Sequence, residues 1–179
     1  MNPPLDSPRN QEAQTPVEIE LVSPLTEAVL SPIKALAHQV FEDSRQDTSR
    51  DRLDYTVMFV ISTDKVLEGA LRNYPRDSFV ATAKLDGTLA GYAVMVIGGQ
   101  NKVIDSFVGV NWLFLRRGIA TKLMRAAHEE LKRRGISEYT ADIWEGSKKL
   151  YEKEQAAGQL TITDVPGNPK QIIVKLNRP

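Results

Sequence analysis

The chain has no cysteine among its 179 residues. That excludes disulfides, thiolate zinc sites and a cysteine nucleophile, and it fits a reducing compartment such as the cytoplasm. Histidine is almost as scarce. His38 and His128 are the only two, on separate predicted helices, which leaves little from which to build a metal centre. Neither charge is in excess, 23 Lys and Arg standing against 23 Asp and Glu, so no global field points to nucleic acid or to an anionic membrane. No apolar run approaches the roughly 18 residues of a membrane span, and the start carries no secretory apolar region. These absences leave one cytoplasmic domain with enough apolar content, 41%, to bury a core.

Residues 1–16 hold four prolines and few apolar side chains, the composition of a disordered leader. A single domain is expected over 17–179. Val17 to Val22 alternates as a strand, with Val17, Ile19 and Leu21 on one face. Ser23-Pro24 and Ser31-Pro32 both read as helix starts, serine capping and proline in the first turn. The spacing of Ile33, Leu36, Ala37, Val40 and Phe41 predicts a helix over Pro32–Glu42. Ser44 to Asp54 reads as a polar loop, and Tyr55 to Ile61 as either a strand or a buried helix. Ser62-Thr63 reads as the cap of a helix through Leu71.

From there the pattern becomes strand-like. Phe79 to Leu85 and Thr88 to Ile97 are joined by Asp86-Gly87, a hairpin turn. Gly98 to Asn101 turns the chain again into a strand from Val103, giving an antiparallel meander. A long amphipathic helix follows, with Ile119, Ala120, Leu123, Met124, Ala127 and Leu131 on one face. Lys122, Arg125, His128, Glu129 and Lys132 occupy its other faces, His128 reading as a surface residue, and Gly135 ends the helix. Glu138 to Trp144 is a further strand, and the strand–helix–strand connection predicts its parallel pairing with the strand before the helix. A short helix over Ser147–Ala157 and strands over Gln159–Val165 and Gln171–Leu176 complete the chain. The expected fold is α/β: a mixed, mostly antiparallel central sheet of about seven strands flanked by four helices.

Between the meander and the long helix lies Arg116-Arg117-Gly118. A helix start ordinarily carries a Ser, Thr, Asp or Asn cap and acidic residues, because its first amides are unpaired and its dipole is positive there. Two cations at that end are unfavourable by a few tenths to about 1 kcal/mol each at an exposed site. A bound anion would reverse the sign: free amides, a glycine permitting close approach and flanking guanidinium groups describe a phosphate cradle. The plainer reading is that both arginines point into solvent. From Arg116 to Arg134 seven Lys or Arg stand against two Glu, so an anionic partner belongs at this helix if anywhere.

In element order and in this motif the chain resembles the GCN5-related N-acetyltransferases (GNAT). That family carries Arg or Gln, any two residues, Gly, any residue, and Gly or Ala between its fourth strand and third helix. The corresponding run here is Leu115-Arg116-Arg117-Gly118-Ile119-Ala120. Leu150-Tyr151-Glu152-Lys153 is similar to the family's tyrosine-bearing helix after the fifth strand, and the matches span Ser78 to Gly158. The resemblance implies an acetyl-CoA-dependent N-acetyltransferase without a metal. It places the coenzyme A pyrophosphate on the amides of Arg116, Arg117, Gly118, Ile119 and Ala120. It places the pantetheine arm along Val108, Gly109 and Val110, in a slot where the fourth and fifth strands splay apart. Tyr151 would protonate the departing thiolate, and Asp105 is the nearest candidate for a carboxylate base. The implied reaction is direct attack of a neutral primary amine, from a small molecule or a peptide, on the thioester, with amides near Val108 to Val110 steadying the oxyanion. A homodimer is compatible with the family.

Two departures matter. Leu115 stands where the family has its Arg or Gln, and counting back from Gly118 puts Ile104, not Asp105, in the register of the base. A one-residue shift moves a side chain to the other face of a sheet, and a bulge would restore it. Other readings stay open. Tyr151 is either a packing aromatic or an acid. Trp112 and Phe114 either cover the core under the turn or wall the slot, and Tyr55, Met58 and Phe59 belong either to core or to an acceptor pocket. The competing function is a non-catalytic module that holds acyl-CoA or works through protein contacts on the same fold.

Overall fold

The computed structural model describes residues 16–44, 64–143 and 145–177. The expected leader up to residue 15, the polar loop after Ser44 and the ambiguous Tyr55–Ile61 lie outside the described residues. The elements run β1 (Glu18–Val22), α1 (Glu27–Ser44), α2 (64–73), β2 (Phe79–Leu85), β3 (Thr88–Gly98), β4 (Lys102–Val110), α3 (Ile119–Arg133), β5 (Glu138–Asp142), α4 (Glu145–Ala156), β6 (Leu160–Val165) and β7 (Asn168–Leu176). Four helices and seven strands match the α/β expectation, and the hairpin, the meander and the glycine-ended α3 fall where the sequence puts them. Short 3-10 turns at Gly99–Asn101 and Trp112–Phe114 flank β4.

Two expectations are corrected. The first helix does not begin at Ser31-Pro32. It begins at Glu27, where the Val29 and Leu30 amides bond to Thr26, and Pro32 lies inside it. A proline early in a helix removes only one amide and crowds only the loosely held first turn, while Leu30 and Ile33, both fully buried, anchor the segment to the sheet. Ser23-Pro24 is likewise not a helix start but a cis peptide in the bend that follows β1. The second correction concerns pairing. The strands form two antiparallel sheets, β1-β2-β3-β4 and β5-β7-β6, and no ladder joins β4 to β5. The predicted parallel pairing is therefore replaced by a fork between neighbouring strands. A local source of divergence is the bulge in β4: Val96 pairs with Asp105 and Ile97 with Val103, leaving Ile104 unpaired, and bulges bend and overtwist the strand that carries them.

Both faces of the four-stranded sheet are covered. Along β3, Tyr92, Val94 and Val96 pack with α1 and α2, whereas Ala93, Met95 and Ile97 pack with α3. This explains why β3 is apolar throughout instead of alternating. Each fully buried Leu, Ile or Phe on these faces contributes about 1.5–3 kcal/mol relative to exposure. The β3–β4 ladder is unusually close. A Cβ at Gly91 would lie 2.8 Å from the Gly109 carbonyl oxygen and 3.1–3.2 Å from the Leu123 and Ile119 side chains; one at Gly109 would lie 2.6 Å from the Tyr92 ring. Glycine at 91 lets the first turn of α3 rest on the strand ends, and glycine at 109 makes room for the Tyr92 ring on the opposite face.

His128 is not on the surface. It is 4% exposed and shares a 2.7 Å hydrogen bond between Nε2 and the Tyr139 hydroxyl of β5. At three or four residues from Met124 and Leu131 it belongs to the apolar stripe. Burial first, then the charge of Lys132, lowers its pKa to about 4, with Glu129 opposing. At the C-terminal end of α3, Glu130 accepts from Arg133 at 2.7 Å and from Arg134 at 2.6 Å. Arg134 also lies over the Phe79 ring, 4.7 Å from its centroid, and its carbonyl accepts from Asn101 Nδ2 at 2.8 Å.

Two outcomes are expected. Gly91→Ala should cost about 1–3 kcal/mol in urea or thermal unfolding because the obstacle is backbone, whereas Gly99→Ala, with open space around its Cβ, should be close to neutral. Acid should act through His128. The unfolded chain takes up the proton near 6.5 and the folded chain only near 4, so stability is full above about 6.5 and falls as pH drops toward 4, by on the order of 3 kcal/mol. Unfolding midpoints measured between those limits should lose most of this slope in His128→Gln; an unchanged slope would place the titration elsewhere.

Candidate active site

The polypeptide leaves β4 through Asn111, whose amide donates to the Ala90 carbonyl at 2.9 Å and whose side-chain oxygen accepts from the Leu113 amide at 3.0 Å. That local turn, made by a buried asparagine mimicking a backbone acceptor, starts the 3-10 segment and brings the chain round to α3. Arg116 and Gly118 then both take the left-handed conformation, at φ 63° and 74°. For an arginine this conformation costs on the order of 1–2 kcal/mol, and glycine removes the cost at the second position. Gly118 is the N-cap of α3 with no side-chain hydrogen bond, and the first turn holds no acidic residue. The leading amides of α3 are therefore unpaired within the helix, at the positive end of its dipole.

Charge is distributed unevenly along this helix. Of the seven cations from Arg116 to Arg134, Arg125 pairs with Glu154, Lys132 with Glu129, and Arg133 and Arg134 with Glu130. Among the described residues Arg116, Arg117 and Lys122 form no ion pair. The local positive excess read from the sequence is thus neutralised at the C-terminal end and left uncompensated at the N-terminal end. Arg117 instead lies 5.8 Å from the Phe114 ring centroid. Leu115, at the position of the family's anchor, is 56% exposed.

The second cluster lies at the fork. Asp105, Ser106 and Val108 come from β4, Tyr139 and Asp142 from β5, and Tyr151 from α4. Tyr151 is 7% exposed within the α3–α4 core. Burial raises its pKa and the nearby Asp142 charge adds to the rise, while hydrogen bonds with Tyr139 and Ser106 oppose it. Ser106 Oγ, although buried, has no partner of ordinary hydrogen-bond geometry, so its contact with Tyr151 is long or bent. Asp105 is raised as well, first by burial, with the Ser106 amide opposing and Asp142 adding. Asp142 in turn accepts from Gln171 Nε2 at 2.8 Å. Tyr151 therefore packs in the core, as the first of its two readings has it, and also borders the fork.

Register decides which side each group approaches from. Asp105 is opposite Val96 and aligned with Phe107 and Gly109, the face toward α1 and α2. Ser106, Val108 and Val110 share the opposite face with Tyr151. A bulge is present, but at Ile104, on the far side of Asp105 from the glycine turn: the ladder from Asp105 to Val110 is regular, so Asp105 keeps its place one residue off the family's register, half-buried beside an Ile104 that is 53% exposed. Val108–Val110 meet the α3 start through Gly91, while Ile119 buries its side chain and leaves only its amide for a ligand. The sequence reading missed Tyr139, Asp142, Ser106 and Asn111. Alternation of Tyr139 with Ala141 in β5 was a signal for the first; Asp142 and Ser106 become notable only once β4 and β5 lie side by side.

Comparison with known proteins fits this geometry. A family model described as "Acetyltransferase (GNAT) family" matches residues 38–156. Comparison with curated protein sequences gave no match. Among solved structures, the chain is similar to the PaiA N-acetyltransferase of Thermoplasma acidophilum in complex with coenzyme A, at 17% identity and TM-score 0.59, covering 89% of this chain and 99% of that one. A GNAT-family acetyltransferase of Streptococcus pneumoniae is similar at 16% identity and TM-score 0.56, covering 90% and 99%. RimL, a ribosomal L7/L12 alpha-N-protein acetyltransferase in complex with coenzyme A, is similar at 16% and 0.56, covering 89% and 93%. At these identities the neighbours speak to the fold, and the family match, which spans about two thirds of the chain, speaks to descent. The chain belongs to the GNAT acetyltransferase family.

Proposed function

We propose that this protein is an N-acetyltransferase that moves an acetyl group from acetyl-CoA to a primary amine by direct attack. The observation that carries this reading is the start of α3, where unpaired amides stand within a turn of Arg116, Arg117 and Lys122 in the chain, none of them ion-paired among the described residues. A diphosphate satisfies both the amides and the charge. In this reading Arg116, Arg117, Gly118, Ile119 and Ala120 hold the pyrophosphate of coenzyme A, the group found in complex with the similar PaiA and RimL proteins. The pantetheine arm uses the free edge of β4 at Val108, Gly109 and Val110, and its thioester reaches the fork.

The chemistry then follows from the two faces of β4. Asp105 lies on the α1–α2 side and accepts a proton from the incoming ammonium, its raised pKa bringing it toward that task. The amine nitrogen attacks the thioester carbonyl, forming C–N, and collapse breaks C–S. Tyr151, on the other face, gives its proton to the departing sulfur, and the second proton, shed by the nitrogen as it becomes an amide, passes through solvent to restore the Tyr151 phenol. Acid and base therefore flank the carbonyl from opposite sides and do not compete for one proton. Most of the acceleration comes from holding two reactants together, and proton transfer adds about 10² to 10⁴. No metal is required. No helix among the described residues is long and apolar enough to cross a membrane, and the acceptor is taken to be a soluble small molecule or a peptide. Leu115 at the anchor position favours a second reading, in which acyl-CoA is held without turnover.

Acetyl-CoA should raise the melting temperature, by the equivalent of about 2.7 kcal/mol at a hundred times its Kd; no shift at millimolar ligand would remove both readings. Replacing Arg116 and Arg117 together by Glu should weaken acetyl-CoA binding about tenfold or more in calorimetry, and should weaken dephospho or truncated analogues less. With polyamine, lysine, peptide and aminoglycoside acceptors offered in turn, thiol release should appear for one class. Tyr151→Phe should then lower kcat about 10²-fold or more at unchanged acetyl-CoA affinity. A thermal shift without thiol release from any acceptor would select the second reading.

A further inference from the structure

A buried hydroxyl ordinarily has a partner. Ser78, fully buried just before β2, accepts from the Ile97 amide at 3.1 Å. The Ser106 hydroxyl of β4 is buried too, but no partner of ordinary hydrogen-bond geometry reaches its Oγ among the described residues. Such a group has lost its water and gained nothing in return. Thr82 Oγ1 and Asp64 Oδ1 share the deficit. Thr82, however, lies on β2, which β1 and β3 pair on both edges, and the second Asp64 oxygen is 2.8 Å from His38 Nε2. Of these groups, Ser106 is the one on a strand with an edge that no described strand pairs.

The ladder shows what else shares that edge. The Asn111 amide donates to the Ala90 carbonyl at 2.9 Å, and the register from Val110 back to Asp105 is regular. Antiparallel strands alternate hydrogen-bonded and unbonded pairs, so the backbone groups of Val110, Val108 and Ser106 turn away from β3 and toward the fork. Ser106 is opposite Met95, and its side chain leaves the sheet on the face of Val108, Val110 and Tyr151. An extended arm that pairs with Val110 and Val108 therefore brings its next polar group to Ser106. We propose that the Ser106 hydroxyl donates to the thioester carbonyl oxygen of bound acetyl-CoA, a side-chain contact beside the amides of the strand. Acetyl-CoA as the ligand is taken from the acetyltransferase reading above. At the end of its arm the divalent sulfur accepts hydrogen bonds weakly and the carbonyl oxygen accepts them well. Ser106 keeps its proton throughout. Negative charge grows on the oxygen as C–N forms, the hydrogen bond strengthens, and it relaxes as C–S breaks and the carbonyl returns. Tyr151, on the same face, stays free to serve the sulfur.

The test compares the full unsubstituted chain with Ser106→Ala and needs no acceptor. Calorimetry with acetyl-CoA and with CoA gives the ratio of the two affinities. In Ser106→Ala that ratio should fall about three- to tenfold through acetyl-CoA alone, with CoA unchanged. The ligand-free melting temperature should hold or rise, because nothing in the free chain uses the hydroxyl. A marked fall would reveal a partner within the protein and overturn the proposal. In infrared difference spectra with acetyl-CoA labelled with ¹³C at the carbonyl, the thioester stretch should lie lower on the unsubstituted chain than on Ser106→Ala. An unmoved ratio or an unmoved stretch would sink the contact. If the unsubstituted chain bound neither ligand, the coenzyme reading would have failed and this contact with it; if it bound both and Ser106→Ala kept the ratio, the contact alone would have failed.

Discussion

One edge of β4 pairs with β3, and among the described residues no strand pairs with its other edge, turned toward β5. Backbone amides and carbonyls along a half-buried strand need partners, and leaving them unmade costs free energy that a packed interior does not ordinarily tolerate. The fold concentrates this deficit in one place. β5 takes its ladder from β7 instead of β4, the bulge at Ile104 turns β4 aside, and the fork that results is lined by Ser106, Tyr139, Asp142 and Tyr151. A ligand with an extended amide-bearing arm would complete the missing pairing.

The same logic governs α3. Its C-terminal half is electrostatically closed: Glu129, Glu130 and the buried Glu154 take up four cations, and Asn101 and Phe79 finish the last turn. Its N-terminal turn is open, with Arg116 held in a left-handed conformation and Gly118 offering no cap. Local strain and unpaired cations at one end of a helix whose other end is fully satisfied mark where binding energy is to be supplied from outside. The Arg125–Glu154 pair joins the two themes, because Glu154 is three residues beyond Tyr151 and ties α4 to α3 at 2.8 Å. The helix that binds the anion and the helix that carries the acid in the proposed reading are thereby linked by an ion pair.

Placing Tyr151 in the buried core gives it a precise position at the cost of making it a weaker acid. Desolvation alone would push a phenol away from the range in which it can protonate a thiolate. Tyr139 and His128, hydrogen-bonded at 2.7 Å, are buried in the same interior. Asp105 is tuned the same way from the other face, by burial and by Asp142. One carboxylate, Asp142, which accepts from Gln171 of β7, thus raises both groups.

The hairpin at Asp86-Gly87, the ends of α3 and the motif from Leu115 to Ala120 could be read directly, because turns, caps and helical periodicity are encoded by neighbours within a few residues. The start of α1 could not: Pro32 reads as a helix start, and only the seating of Leu30 and Ile33 against the sheet carries the helix back to Glu27. His128 sat at core spacing but among charged neighbours, and the partner that makes its burial tolerable, Tyr139, is on another element. The bulge at Ile104 is announced by no local pattern, since a bulge is a property of two strands and not of one, and it leaves the register of Asp105 against the glycine turn unchanged. What the sequence by itself determined was the order of elements, the family motif and the cationic, uncapped turn. What only the tertiary structure decided was the face of each side chain, the absence of a β4–β5 ladder and which cations find a carboxylate, because register, burial and pairing are settled between segments far apart in the chain.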